Sequence, residues 1–197
     1  MKTIIFATQN EGKVKEVRQI MKDINIITMK EVGIDIDVVE DGETFEANAV
    51  KKAEEIMKIS GHIVLADDSG LEIDYFDRAP GVYSARYLGK DTPYIEKNAI
   101  ILDKMKQVPR ERRSARFVCA IAVAFPDKAT LVTKGMMEGF IGDRTKGDGG
   151  FGYDPIFFPE GYDTSTADIS PELKNEISHR GKALRAMKIQ LEKALEI

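Results

Sequence analysis

A single cysteine in 197 residues leaves no intrachain disulfide and no cysteine-based zinc framework. That residue, Cys119, lies within the apolar run Phe117 to Phe125, where a buried structural thiol is expected rather than a nucleophile. Basic charge is not in excess either. Lys and Arg number 29 against 33 Asp and Glu, a net charge of −4, so the chain has no global field for duplex nucleic acid. A polyanionic ligand would have to be met by local cations or a metal. No apolar run reaches membrane-spanning length, and Met1 to Ala7 is too short for a signal peptide. No nucleic-acid partner, no membrane and a cytoplasmic location are therefore expected. The sequence also lacks internal repeats, low-complexity tracts and an obvious linker. With 43% hydrophobic residues it can build a sizeable core as one domain over residues 1–197, compact or two-lobed.

What is present centres on Ile63-Val64-Leu65-Ala66-Asp67-Asp68-Ser69-Gly70. An apolar run of strand-forming residues meets two adjacent carboxylates and then a turn dipeptide, so a buried strand ending at Asp67 and Asp68 is predicted. Strand side chains alternate, so the two carboxylates should have different roles. A plain Asp-Ser-Gly turn is the competing reading.

Thr3 to Thr8 reads as a buried first strand. It is followed by the polar loop Gln9-Asn10-Glu11-Gly12-Lys13 and a helix with Val14, Val17, Ile20 and Met21 on one face. A strand, a polar loop with Gly and Lys, and a helix N-terminus can hold phosphate or simply form a capped connection. The spacing is not that of a P-loop. Ile24 to Met29 and Ile34 to Val39 are predicted to be extended. Glu40-Asp41-Gly42-Glu43 is an acidic turn, either solvated or a source of metal ligands for a hard cation. Thr44 to Lys58 should be a helix that ends at Ser60-Gly61.

Further along, Leu71 to Tyr75 should be a strand, and a helix is expected from Asp91-Thr92-Pro93 to about Lys106. Ala115 to Phe125 and Ala129 to Met137 should be paired strands. Arg112, Arg113 and Arg116 beside them read as a solvated surface rather than a nucleic-acid site. Gly147 to Pro155 places four glycines among Phe151 and Tyr153, giving either close backbone approach to a flat or charged group or a hairpin packing its own aromatics. A terminal helix is expected after Ser178, with His179 and Arg180 in its first turn. Cations there oppose the helix dipole, so an anion or electron-rich acceptor compensates, or the pair lies in solvent.

Six stretches in this order resemble the inosine triphosphate pyrophosphatase family, also called Ham1-like. They are Ala7–Lys13, Gly42–Ala49, Ala66–Leu71, Pro80–Arg86, Gly149–Pro155 and Ile177–Arg180, and they span nearly the whole chain. The resemblance implies a two-lobed α/β fold with a long mixed central sheet, flanking helices, an active-site cleft between lobes, and a homodimer. It also implies hydrolysis of ITP, dITP or XTP to the monophosphate and pyrophosphate. Carried over motif by motif, Thr8, Gln9, Asn10, Glu11, Gly12 and Lys13 hold phosphate, and Ser69 touches the phosphates. Glu40 and Asp68 serve a Mg²⁺ site, with Asp68 as the usual general base. Phe151, Gly152, Tyr153, Asp154, Lys174, His179 and Arg180 form the base pocket. Asp148 departs from many relatives, which carry threonine or another residue before the paired glycines.

Physical chemistry adds two expectations. A carboxylate bound to Mg²⁺ is a weak base, so Asp68 should position the attacking water more than deprotonate it. Donors from Lys174, His179 or Arg180 would accept a 6-oxo purine and reject the 6-amino group of adenine. Guanine shares the 6-oxo group, and no residue is assigned to its exclusion. Two rivals are a Maf-like pyrophosphatase, whose first loop resembles Ser-x-Ser-Pro-Arg-Arg, and a non-catalytic nucleotide sensor. The first loop here disfavours the former, and the paired carboxylates beside Lys13 disfavour the latter.

Overall fold

The computed structural model describes residues 2–195. Strands β1 (Thr3–Phe6), β2 (Asn25–Thr28), β3 (Val64–Ile73), β4 (Ser114–Ala124), β5 (Leu131–Ile141) and β6 (Phe157–Pro159) form one sheet in the order β2-β1-β3-β4-β5-β6. The sheet is mixed: β1 runs parallel to β2 and β3, and β6 is antiparallel to β5. Among the described residues five α-helices accompany it: α1 (Glu11–Ile20), α2 (Phe45–Ser60), α3 (Tyr94–Lys104), α4 (Pro171–Ile177) and α5 (His179–Leu195). The α/β class with a mixed sheet is therefore as predicted. No helix among the described residues is long and apolar enough to cross a membrane.

Two compact units divide the chain. The first comprises residues up to Asp68, Cys119–Gly135 and everything from His179 onward; the second comprises Ser69–Val118 and Met136–Ser178. In the first, Ile4 and Phe6 of β1, Leu65 of β3 and Cys119, Ile121 and Val123 of β4 alternate along their strands onto one face. Val14 and Val17 of α1 pack against that face, as do Ala183, Leu184, Met187 and Leu191 of α5. Ile5, Val64, Ala66, Ala120 and Ala122 point the other way and are equally buried, so this part of the sheet is covered on both sides. Burial pushes the Cys119 thiol up to about 12, which keeps it protonated and inert as the sequence implied.

The second unit has its own core. Leu71 and Ile73 of β3, Ile101 and Met105 of α3 and Phe117 of β4 pack with Met137 and Ile141 of β5 and with Ile156 and Phe157.

Several local expectations are corrected. Ser69-Gly70 is not a turn: β3 runs unbroken through both carboxylates to Ile73, absorbing the separate strand expected from Leu71. Gly70 is absent from the left-handed conformers and is fully compatible with extended backbone. Residues 34–39 form no strand. Helix α1 begins at Glu11, because the Asn10 side chain accepts from the Lys13 amide and caps it early. Glu11, Gly12 and Lys13 are thus helical rather than loop. α3 starts at Tyr94 with Pro93 outside it and no side-chain cap, so Asp91 does not initiate it. A short helix not anticipated, α4, is started by Ser170, whose hydroxyl accepts from the Leu173 amide, and by Pro171.

Gly135 of β5 marks a close approach in the first unit. A Cβ there would collide with the His179 carbonyl and lie 2.7 Å from the Ala183 amide nitrogen, both backbone atoms of α5. Gly135→Ala is therefore expected to lower stability by about 1–3 kcal/mol through overpacking. Thermal unfolding measures this, and an unchanged midpoint would show that α5 shifts without cost.

Candidate active site

Asp67 and Asp68 are consecutive on β3, so they meet different surroundings. Asp67 is wholly buried and receives Lys13 Nζ at 2.9 Å and Arg180 Nη2 at 3.2 Å. Arg180, only 2% exposed, donates through Nη1 to Glu16 at 2.5 Å. Glu16 lies one turn beyond Lys13 on α1, so α1, β3 and the first turn of α5 are joined by one charge network. Burial alone would raise the Asp67 carboxyl. Lys13, Arg180 and Lys52 outweigh it and hold the group well below the usual carboxylate range. Burial likewise disfavours charge on Arg180, and the carboxylates of Asp67 and Glu16 more than compensate. This settles how a cation is tolerated at the start of α5: the acceptors are two side chains of the protein itself.

Asp68 faces another group. Its Oδ2 accepts from Asn48 Nδ2 at 2.9 Å, while Asn48 Oδ1 accepts the Gly42 amide at 2.7 Å. Asn48 therefore ties the acidic turn Glu40–Glu43 to the strand carrying Asp68. Glu40 forms an ion pair with Lys52 of α2. Burial, and then the neighbouring charge of Glu40, push the Asp68 carboxyl up to about 6; Lys52 and Asn48 offset only part of this. A carboxylate pushed up by burial and by a second carboxylate beside it marks a place that favours a cation.

The donor chemistry fits Mg²⁺. Among the described residues no three His, Cys, Asp or Glu side chains converge as a dedicated cage. Mg²⁺ does not need one, since it binds through one or two carboxylates plus water and substrate phosphate.

At the other expected phosphate positions, Thr8 Oγ1 accepts the Asn10 amide at 3.2 Å and braces the turn into α1. Gln9 and Glu11 are exposed, and Ser69 is half-buried on β3 in the second unit. His179 and Arg180 open α5, and both are buried.

Within the second unit, Asp154 is the organising group of the glycine-aromatic stretch. It accepts from the Phe151 amide at 2.7 Å, from Lys174 Nζ at 2.6 Å and from Thr166 Oγ1 at 3.0 Å. Lys174 Nζ also lies 4.7 Å from the Phe151 ring centroid, a cation–π arrangement. Gly150 has φ +69°, and a Cβ on it would run into the Asp154 carboxylate, so glycine is required here on both counts. Tyr153 turns into the core: it is buried, donates its hydroxyl to the Ser84 carbonyl at 2.7 Å and meets Tyr94 edge-on. Gly152 offers its carbonyl to Asn98 Nδ2 at 3.1 Å. Phe151 stays half-buried and is the aromatic of this loop with accessible surface.

Sequence reasoning missed Glu16, Asn48, Lys52 and Thr166, and singled out Asp67 without its partners. Asn48 and Lys52 carried a signal, because they fall four apart on the α2 face defined by Phe45, Ala49, Ala53 and Ile56. A polar residue on an apolar face needs a partner.

Fold and site together define an α/β protein of mixed sheet with an ion-paired centre. That centre is assembled on one strand from adjacent carboxylates and on two helices from a lysine and an arginine. Comparison with known proteins makes this specific: residues 4–190 match the model of the Ham1 family, and the chain belongs to that family. It is 46% identical to a dITP/XTP pyrophosphatase of Clostridium perfringens, with 100% of both chains covered. It is 43% identical to one of Bacillus subtilis, with 98% of each covered. Among solved structures it matches the Staphylococcus aureus Ham1 protein with TM-score 0.87 and 40% identity, covering 98% of this chain and 100% of that one. A HAM1 protein from Coxiella burnetii matches with TM-score 0.88 and 38% identity over the same shares.

Proposed function

We propose that this chain hydrolyses dITP, ITP and XTP to the nucleoside monophosphate and pyrophosphate. We propose further that it does so as a cytoplasmic homodimer using Mg²⁺. The observation that carries the reading is the division of labour on β3, with Asp67 neutralising cations and Asp68 set against Glu40. Relatives named for this activity, similar over their full length, support it.

In this reading Glu40 and Asp68 hold the metal. When bound, Mg²⁺ neutralises charge on the triphosphate and acidifies the attacking water. Asp68 accepts a hydrogen bond from that water and aims it at the α-phosphorus, in line with the departing pyrophosphate. Asn48 fixes the orientation of Asp68, and Lys52 holds Glu40. Lys13 and the first-turn amides of α1 receive the negative charge that develops on pyrophosphate. Arg180, His179 and Lys174 supply donors for the 6-oxo group of the base. Phe151 offers a ring face, with Asp154 holding Lys174 in place. A 6-amino base would leave such a donor unpaired at a cost of about 1–3 kcal/mol, or roughly tenfold to a hundredfold in efficiency.

The test is incubation with Mg²⁺ and ITP, XTP, dITP or ATP in ¹⁸O-labelled water. Pyrophosphate is expected from the first three at least about tenfold more efficiently than from ATP, with label in the monophosphate. Release of inorganic phosphate instead, or equal use of ATP, would overturn the proposal.

A further inference from the structure

We propose that Asp67 is a positioning residue that couples the phosphate end of the substrate to its base end, because Lys13 and Arg180 share one of its carboxylate oxygens. The inference rests on the pyrophosphatase reading above and deepens it.

Asp67 Oδ2 lies 2.9 Å from Lys13 Nζ and 3.2 Å from Arg180 Nη2, with Arg180 Nε at 3.4 Å. Oδ1 has Lys13 Nζ at 3.1 Å. The carboxylate is fully buried, so these charges rather than water stabilise it. Its two cationic partners differ in freedom. The Lys13 side chain is 17% exposed and the Arg180 side chain 2%. Lys13 is therefore the partner that can turn toward a triphosphate, and Arg180 the one that stays.

When Lys13 turns away, Oδ2 loses a donor and the Asp67 charge falls more heavily on Arg180. The guanidinium is held on its other side by Glu16, so its position reflects a balance between two carboxylates. Filling the phosphate site shifts that balance at the residue assigned to the base. By linkage, a base engaging Arg180 alters the hold of Asp67 on Lys13 by the same factor. No change of fold is needed, because the coupling passes through one shared acceptor.

A lysine that only neutralises phosphate contributes equally to every nucleoside triphosphate. Lys13→Met would then lower kcat/KM for ITP and ATP by one common factor and leave their ratio unmoved. The coupling predicts that Lys13→Met also reduces the ITP-to-ATP ratio, by about fivefold or more. It predicts in addition that in an Asp67→Asn background, adding Lys13→Met no longer changes the ratio. Folding of each variant is checked by circular dichroism. Where Asp67→Asn does not fold, the ratio for Lys13→Met in the native background decides alone.

An unchanged ratio in Lys13→Met overturns the coupling while leaving the pyrophosphatase reading intact. A ratio that still responds to Lys13 after Asp67→Asn shows that the path does not run through Asp67, and also overturns it. A native enzyme that releases no pyrophosphate from any triphosphate removes the functional reading, and the coupling with it.

Discussion

Asp68→Asn should lower turnover of ITP by about a hundredfold to ten-thousandfold while leaving the fold at least as stable as before. The substitution is nearly isosteric, and the new side-chain carbonyl can still accept from Asn48 Nδ2, so the link to Gly42 survives. What is lost is the negative charge at a place where Glu40 already disfavours it. The sign follows from linkage. In the folded protein the Asp68 carboxyl titrates near 6 against an ordinary 3.8, so the native state binds the proton more tightly than the unfolded chain. This group's contribution to stability is therefore most favourable below the ordinary value. It declines as pH rises toward 6 and stays low above it. At neutral pH and without metal, Asp68→Asn removes that penalty. Activity and stability should move in opposite directions, which separates a residue kept for chemistry from one kept for packing. Steady-state kinetics and thermal unfolding in a chelating buffer measure the two. Near-full turnover by a variant that still binds nucleotide would remove Asp68 from the reaction.

Arg113→Met should be strongly destabilising although it lies outside the site, costing about 3–6 kcal/mol. Arg113 is buried and spends its fork on three carbonyls. Nε donates to Val108 at 2.8 Å, Nη1 to Gly142 at 2.7 Å and Nη2 to Met105 at 2.8 Å. It thereby closes the C-terminal end of α3, where helix carbonyls run out of intrahelical donors, and pins it to the chain just after β5. Methionine fills the volume but orphans three acceptors, each worth about 1–3 kcal/mol when buried. Lysine should rescue little, since one ammonium cannot reproduce a planar fork. Arg112→Met is the control: this exposed neighbour lies over the Tyr75 ring, and its loss should stay under about 1 kcal/mol. Urea unfolding of the two variants decides, and equal midpoints would mean that the Arg113 bonds contribute nothing net.

Arg113 also shows where reading residues in sequence stops. The sequence places it with Arg112 and Arg116 as solvated surface, yet the three have separate fates. Arg112 is exposed, and Arg116 is clasped by Asp74 and Glu138. Which arginine is swallowed depends on distant carbonyls at Met105 and Gly142, and no local pattern reveals them. Helices α2 and α5, by contrast, were legible, because apolar spacing and the Thr44 and Gly61 caps are encoded within a few residues. Strands β1 to β5 were equally plain from their apolar runs, whereas the three-residue β6 was not anticipated, being too short to carry a pattern of its own. β3 was misjudged at Ser69-Gly70 because turn propensity is a weak prior that tertiary pairing overrides.

The site was legible in part for the same reason. Lys13, Asp68, Asp154 and Arg180 stand in motifs, with Glu40 and Lys174 a few residues outside them, and the structure gives each a charged partner or neighbour. Asp67 could be seen to differ from Asp68 by alternation alone, but not which cations it would meet. Those arrive from α1 and α5, which lie 54 and 113 residues away in the chain. Asn48 and Lys52 sit among the apolar residues on one face of α2, and the helix pattern alone does not say what they meet.

The side-by-side carboxylates of β3 also constrain how this gene can drift. Loops absorb insertions and deletions, but losing or gaining one residue within Val64–Asp68 would slip the strand by half its repeat and part Asp67 and Asp68 from their partners. Each acid would then face the side opposite to its own, with composition almost untouched. Length variation among descendants of this chain should therefore accumulate outside that segment, which would serve as a fixed ruler for aligning even very diverged copies.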